Sequence, residues 1–292
     1  MLTLKDRMVV SAFRKNCTKS DAKRDEGLTV PDDVSVIKDL SYGEDPVNNI
    51  LDVYKPKGAD GKLPVLVSSH GGGYIYGDKE LYSFYTMTFA QNGFAVVNYN
   101  YTLAPKITFP NPIIETNEVL KWVCQNADKY GFDLDNVVMI GDSAGAQIAS
   151  QYAVCVTNPA YAKVMGIEVP SFTLKALSLG CGIYSVSDSG SSTRDLERIY
   201  LTRNPGQFGE KIKIFDYVTS DYPPTYLLSS PGDFLVKNLD PFKELLKSKN
   251  VECDSKIYGD KNTYHVFFED IRNDLAKEAN KDQVDFLKKH VG

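Results

Sequence analysis

NVVMIGDSAGAQIAS, residues 136–150, runs from a β-branched apolar stretch through two glycines and a serine into small residues of helical length. A strand covered on both faces needs apolar residues at successive positions, not alternate ones. Asn136–Ile140 meets that demand, and Ala144–Val156 reads as the helix that follows. Between them Gly141-Asp142-Ser143-Ala144-Gly145 fits G-x-S-x-G. At a strand-to-helix junction the small neighbours let the backbone turn tightly and lift the hydroxyl out at the carboxyl edge of the sheet. Chance supplies the bare pattern in about one chain in ten of this length, so its weight comes from its position. The bland alternative is a Gly-rich turn of the phosphate-cradling kind.

Working outward, the same alternation repeats. VLVSS (Val65–Ser69) and FAVVNY (Phe94–Tyr99) are apolar on both faces, with Lys79–Asn92 of helical length between them and Gly93 as its stop. Ile113–Tyr130 predicts a long helix ended by Gly131. Leu174–Leu179 and Pro224–Ser230 predict further strands. Helix Pro241–Lys249, strand Cys253–Tyr258 and helix Asp274–Lys289 complete the series. Upstream, Val34–Leu40 and Asn49–Tyr54 read as two short strands. Strands alternating with helices at this spacing predict an α/β fold, with a mostly parallel central sheet, helices on both faces and an antiparallel N-terminal edge. One domain, residues 1–292, is expected. Met1–Glu26 places Leu2, Leu4, Met8, Val9, Ala12 and Phe13 at near-helical spacing, an amphipathic helix over the domain's edge. Ser185–Pro224 lacks a strong period, and an insertion of that length is commonly a lid or binding loop. Residues 1–30 and 185–223 are together expected to form a small cap.

Composition narrows the function. Lys and Arg number 33 against 38 Asp and Glu, a formal charge of −5, which argues against a dedicated nucleic-acid binder. No apolar stretch reaches the roughly 18 residues of a spanning helix, so no stable membrane insertion is expected. The charged stretch MLTLKDRMVVSAFRKN lacks the form of a secretory signal. Five widely spaced cysteines (Cys17, Cys124, Cys155, Cys181, Cys253) form no C-x-x-C pair, so neither zinc nor a disulfide framework is suggested. These features fit a cytoplasmic protein. Three scattered histidines offer no metal-ligand pair, and HGGGYIYG lacks the G-x-G-x-x-G dinucleotide spacing. No metal and no cofactor is expected.

A serine hydroxyl needs a base to become a nucleophile. His290 lies on a Lys-rich helix near the C-terminus and reads as solvated. His70 precedes three glycines and suits loop shaping. His265, in a loop after the last strand and downstream of Ser143, is the expected base. The orienting acid belongs between them, just after a strand. Asp233, in SSPGDFLV, follows Tyr226–Ser230 directly, whereas Asp240 reads as a helix start and Asp260 as a turn. A carboxylate there holds the imidazole tautomer and stabilises the imidazolium formed during attack. Glycines 71–73 allow the backbone to approach a substrate and turn its N–H groups toward an oxyanion. His70, Tyr74, Asp142 and Phe234 flank these groups and are expected at the substrate site.

HGGGYIYG (His70–Gly77), NYNYTLAPKITFP (Asn98–Pro110) and MIGDSAGAQIA (Met139–Ala149) resemble the hormone-sensitive-lipase-like branch of the α/β-hydrolases, with its feruloyl-esterase-like and acetylesterase-like members. LDVYKP (Leu51–Pro56) resembles their N-terminal hairpin. The resemblance spans roughly Ile50 to His265 and implies an α/β-hydrolase fold. It also implies a serine carboxylesterase for short-to-medium acyl esters, with Ser143 as nucleophile, Asp233 as acid and His265 as base. Gly72, Gly73 and Ala144 would supply the oxyanion amides. Thr102 stands where that branch usually has Arg, and Asp233-Phe234-Leu235 where it often has Asp-Pro-Leu. Amide hydrolysis of the arylformamidase or peptidase type, and acetyl or feruloyl sugar esters, remain open on the same triad. A non-catalytic ligand-binding protein is the reading from another class. The expected partner is a small-molecule ester, and exposed helices and edge strands leave a homodimer open.

Overall fold

The computed structural model describes residues 2–186, 194–202 and 204–292. Among these, eight strands form one sheet: β1 Val34–Ser41, β2 Ile50–Pro56, β3 Leu63–Ser69, β4 Ala95–Tyr99, β5 Phe132–Asp142, β6 Leu174–Gly180, β7 Thr225–Ser229 and β8 Cys253–Ile257. Their spatial order is β1-β2-β4-β3-β5-β6-β7-β8. β1 and β2 are antiparallel, β2 meets β4 antiparallel, and every later neighbour is parallel. The helices are α1 Leu4–Asp25, α2 Ser83–Gln91, α3 Asn111–Gln125, α4 Ala127–Tyr130, α5 Ser143–Thr157, α6 Pro159–Met165, α7 Arg194–Tyr200, α8 Leu239–Ser248 and α9 Asp274–His290.

The pleat explains why both faces of the central strands are apolar. Val65, Val67, Val137 and Met139 join the cluster containing α3, α5 and α8, while Leu66, Val138 and Ile140 join the one containing α2 and α9. Each such side chain taken fully from water is worth about 1.5–3 kcal/mol, so the parallel strands are held from both sides. Their carboxyl ends open onto one edge, where α/β sheets place their sites. Among the described residues no helix is long and apolar enough to cross a membrane.

Several boundaries differ from expectation for physical reasons. The Lys79–Asn92 helix begins only at Ser83, because Lys79 is committed elsewhere. Its backbone N–H donates to Asn100, its carbonyl accepts from Asn98, and its buried ammonium meets Asp52 at 2.9 Å and Asp39 at 2.8 Å. The Ile113–Tyr130 helix breaks at Asn126, whose side chain caps back onto Trp122. α6 and α7 interrupt stretches with no strong period; residues 187–193 and 203 of the predicted insertion lie outside the described residues. Thr102 donates to Glu115 through its amide and hydroxyl, both at 2.7 Å, so a threonine–carboxyl hydrogen-bond clasp stands where the resemblance implied an arginine. α1 turns Asp6 and Val10 inward, but Leu4 and Met8 lie 75% and 57% exposed, against the expectation that they pack on the domain. His290 is half-buried with its ring 4.8 Å from Phe286, not solvated.

Candidate active site

Ser143 sits where β5 becomes α5, with φ at +49°. A non-glycine in that left-handed region costs on the order of 1–3 kcal/mol and persists only where its surroundings enforce it. The two glycines of the motif are sterically obligatory. A Cβ on Gly141 would stand 2.5 Å from the Gly145 carbonyl oxygen, and one on Gly145 would stand 2.0 Å from that of Ser69 in β3. The turn therefore closes against its own helix and the neighbouring strand, leaving Ser143 at the head of α5. Its hydroxyl has no hydrogen-bond partner among the described residues, as is common for a nucleophile before substrate tightens the site.

β7 and β8 deliver the other two groups. Ser230 donates to the Thr263 carbonyl at 2.7 Å, and a Cβ on Gly232 would meet that oxygen at 2.3 Å, so the loops after the two strands lie against each other. This brings His265 Nδ1 to 2.6 Å from Asp233 Oδ1. Asp233 also accepts from the Ser229 hydroxyl at 2.6 Å and the Leu235 amide at 2.9 Å. Burial alone would raise its pKa, but the His265 ring and these donors outweigh it and hold the carboxyl below the usual range. An ionised Asp233 carboxylate thus lies against the His265 ring. Asp240 does open α8, and Asp260 does cap a turn. Cys181 Sγ lies with Asp233 and His265 inside 4.8 Å, but a cation there would have to displace the hydrogen bond between acid and imidazole.

Ser143 and His265 line one cavity of about 250 Å³, together with Gly72, Gly73, Tyr74, Asp142 and Phe234. Gly72 and Gly73 lie in the left-handed region, and their amides donate to no protein acceptor among the described residues. Those two N–H groups are free donors at the cavity wall. Ala144 follows the serine in the first turn of α5, where helical amides lack partners; its side chain is buried outside the lining. The Phe234 ring lies 4.3 Å from that of His265 at a tilt of 41° and is 52% exposed, so it covers the base at the rim.

His70 departs from its expected place at the substrate site. It is fully buried, stacked 4.1 Å from Tyr101, with Nδ1 at 2.8 Å from the Gly71 carbonyl, and it is not part of the cavity wall. Burial pushes its pKa down to about 4, so it is a neutral strut beneath the glycine loop. Tyr74, Tyr76 and Tyr82 line the cavity, while Tyr200 and Tyr222 belong to the core.

Two sets of contacts at the site have no signal in the sequence. Tyr82 accepts from the Gly71 amide and donates to Asp142 Oδ2, each at 2.9 Å, which joins the glycine loop to the residue before the serine. Burial, with Glu269 close by, raises the Asp142 carboxyl well above its usual range. Arg24, at the end of α1, pairs with Glu269 and with Asp25 at 2.7 Å, and donates to the Leu81 carbonyl. Burial pushes Glu269 up to about 7 against the pull of that guanidinium. Arg24 and Glu269 are 245 residues apart, and no local pattern signals such a pair. Phe13, Cys17, Asp21 and Arg24 give α1 one wall of the cavity, and Leu196 and Glu197 give α7 another.

This geometry has relatives. An esterase B from Lactobacillus rhamnosis, in a crystal structure with a tributyrin phosphonate, superposes with a TM-score of 0.86 at 23% identity, covering 99% of this chain and 96% of that one. A bacterial heroin esterase does so at 0.79 and 19% identity, over 96% and 91% of the two chains. These likenesses establish the α/β-hydrolase fold. In sequence, the esterase LipQ of Mycobacterium tuberculosis is 28% identical over 68% of this chain and 49% of its own length. The isoprenylcysteine alpha-carbonyl methylesterase ICME of Arabidopsis thaliana is 26% identical over 80% and 58%, so this chain spans about half the length of these two relatives. An acetyl esterase of Salmonella choleraesuis is 26% identical over 75% and 70%. The BD-FAE family model matches residues 51–241, from the second strand to the start of α8. The chain belongs to the BD-FAE family.

Proposed function

We propose that this protein is a serine carboxylic-ester hydrolase working through an acyl-enzyme. The observation that carries the reading is one cavity lined by a left-handed Ser143 and by a His265 held at 2.6 Å by an ionised Asp233. In this reaction His265 Nε2 takes the Ser143 proton as Oγ bonds to the ester carbonyl carbon. The carbonyl electrons move to oxygen, and the amides of Gly72, Gly73 and Ala144 hold that oxyanion, a contribution of about 3–4 kcal/mol per donor in comparable sites. Collapse expels the alcohol, which takes the proton from His265. Water then repeats the cycle and releases the acid. Asp233 keeps the tautomer and stabilises the imidazolium without itself being protonated.

Supporting the ester bond over the amide are the names of the relatives, all esterases. Supporting short acyl groups is the cavity, whose roughly 250 Å³ falls below the 300–1,000 Å³ typical of drug-sized ligand sites. α1 and the segment carrying α7 act as the cap, since both furnish cavity wall. The five cysteines, all free thiols, suit a reducing cytoplasm. Hydrolysis of nitrophenyl acetate, butyrate, octanoate and decanoate tests the reading: the rate should peak at a short acyl chain. A folded protein inactive on all four would overturn it and point to an amide, a sugar ester or pure binding.

A further inference from the structure

The outer face of α1 has an unusual charge distribution. The helix is 22 residues, about 33 Å long, and carries seven basic and three acidic residues in a chain of net charge −5. Its acids turn inward: Asp6 is buried, and Asp21 and Asp25 are half-buried beside Arg24. Lys5, Arg7, Arg14, Lys15, Lys19 and Lys23 are all exposed. Lys5 meets Asp195 and Arg14 donates to the Ile75 carbonyl, while Arg7, Lys15, Lys19 and Lys23 pair with no acid among the described residues. A merely solvated helix face interleaves its charges, as α9 does with Lys277–Asp274 and Lys281–Asp285. On the outer face of α1 the interleaving is absent among the described residues. Leu4 and Met8, the apolar pair left facing water, lie on the same face, since Met8 and Lys15 are two helical turns apart and Lys19 and Lys23 continue from Lys15 at i, i+4.

We propose that this face of α1 adsorbs to an anionic lipid bilayer, with the four unpaired cations against headgroup phosphates and Leu4 and Met8 reaching the acyl boundary. Basic helices with a small apolar tip lie in that interface without spanning it, consistent with the lack of a spanning helix among the described residues. The exposed apolar pair favours lipid over an acidic protein or nucleic acid, which would match the cations but leave Leu4 and Met8 in water. The opposite face of α1 carries Phe13, Cys17 and Arg24 into the cavity. Adsorption therefore sets the catalytic cavity about one helix diameter, roughly 10 Å, from the headgroups. The proposal goes beyond ester hydrolysis and does not depend on it.

The test is sedimentation of the full chain with vesicles of phosphatidylcholine, with and without phosphatidylserine. Wild type should bind the anionic vesicles at low salt, ignore the neutral ones, and release at about 0.5 M salt, where the screening length is a few ångströms. Each basic residue near such a surface is worth about fivefold in partitioning. Arg7→Gln/Lys15→Gln/Lys19→Gln/Lys23→Gln should therefore bind on the order of a hundredfold or more weakly, with nitrophenyl acetate hydrolysis unchanged. Leu4→Gln/Met8→Gln should weaken binding at fixed charge. Ser143→Ala should bind as wild type does, so failed hydrolysis and failed adsorption are separable. No binding of wild type to anionic vesicles overturns the proposal, as does equal binding to neutral vesicles or an unaffected quadruple variant. Retention on heparin without vesicle binding would do the same, by assigning the face to an acidic macromolecule. Should the quadruple variant not fold, the salt dependence of wild type decides alone.

Discussion

Tyr82→Phe removes one oxygen and tests whether the glycine loop and the serine turn are mechanically joined. That hydroxyl is the 2.9 Å acceptor of the Gly71 amide and the 2.9 Å donor to Asp142 Oδ2. Phenylalanine fills the same space but leaves a buried N–H and a buried carboxyl oxygen unpaired, at about 1–3 kcal/mol each. The two together predict a loss of about 2–6 kcal/mol. In a chain of this size 1 kcal/mol moves Tm by about 2–4 °C, so Tm should fall by roughly 4–24 °C. The kinetic effect should fall on kcat, because Gly71 precedes the amides proposed for the oxyanion. Loss of one such donor outright costs about 100–1,000-fold, and a loosened loop should cost on the order of tenfold. KM for nitrophenyl butyrate should change less than about threefold, since ground-state contacts are untouched. Calorimetry and steady-state kinetics below the variant's Tm read both quantities. A Tm within about 1 °C of wild type with unchanged kcat would refute the clasp. A lowered Tm with unchanged kcat would refute its link to the oxyanion site.

Asp233→Asn should keep the loop packed but lose the ionised acceptor beside His265 Nδ1, lowering kcat by about 10³–10⁴-fold. Steady-state kinetics check this, and a loss below tenfold would unseat Asp233. Glu269 gives stability a pH dependence of the opposite sign to a salt-bridged carboxylate. Its folded pKa is raised from 4.5 to about 7, so across that window the folded state keeps a proton the unfolded chain has released. Stability from this group is therefore full below about pH 4.5 and declines as pH rises through 7. The groups around it are Arg24, Asp21, Asp25, Tyr82 and Asp142. Glu269→Gln should flatten the decline of Tm between about pH 5 and pH 7.5, leaving the part due to Asp142; an unchanged slope would contradict the assignment. Asp233, held low, acts the other way, its stabilisation being lost only as pH falls below the ordinary carboxylate range.

The sheet and the serine turn were legible because their signals are local. Strands β3, β4 and β5 are apolar on both faces, and a glycine is required on each side of Ser143 by atoms within the same turn or the adjacent strand. Asp233 and His265 were legible through chain order and the scarcity of histidines. What stayed hidden depends on distant partners. Nothing near Lys79 in sequence shows that Asp39 and Asp52 await its ammonium, so its segment reads as helix. Nothing near Leu4 or Met8 shows that the core is covered without them. His70 suits loop shaping in the sequence and is also expected at the substrate site; the stacking on Tyr101 places it beneath the loop.

Covalent trapping at Ser143 tests the central claim most directly. The protein treated with an activated alkyl phosphonate ester and weighed intact should gain one phosphonyl group, with peptide mapping locating it on Ser143. Hydrolysis of nitrophenyl butyrate should vanish in step with that gain, and Ser143→Ala should neither take up the label nor turn over the ester. A label on another residue, or full hydrolysis by Ser143→Ala, would contradict the account.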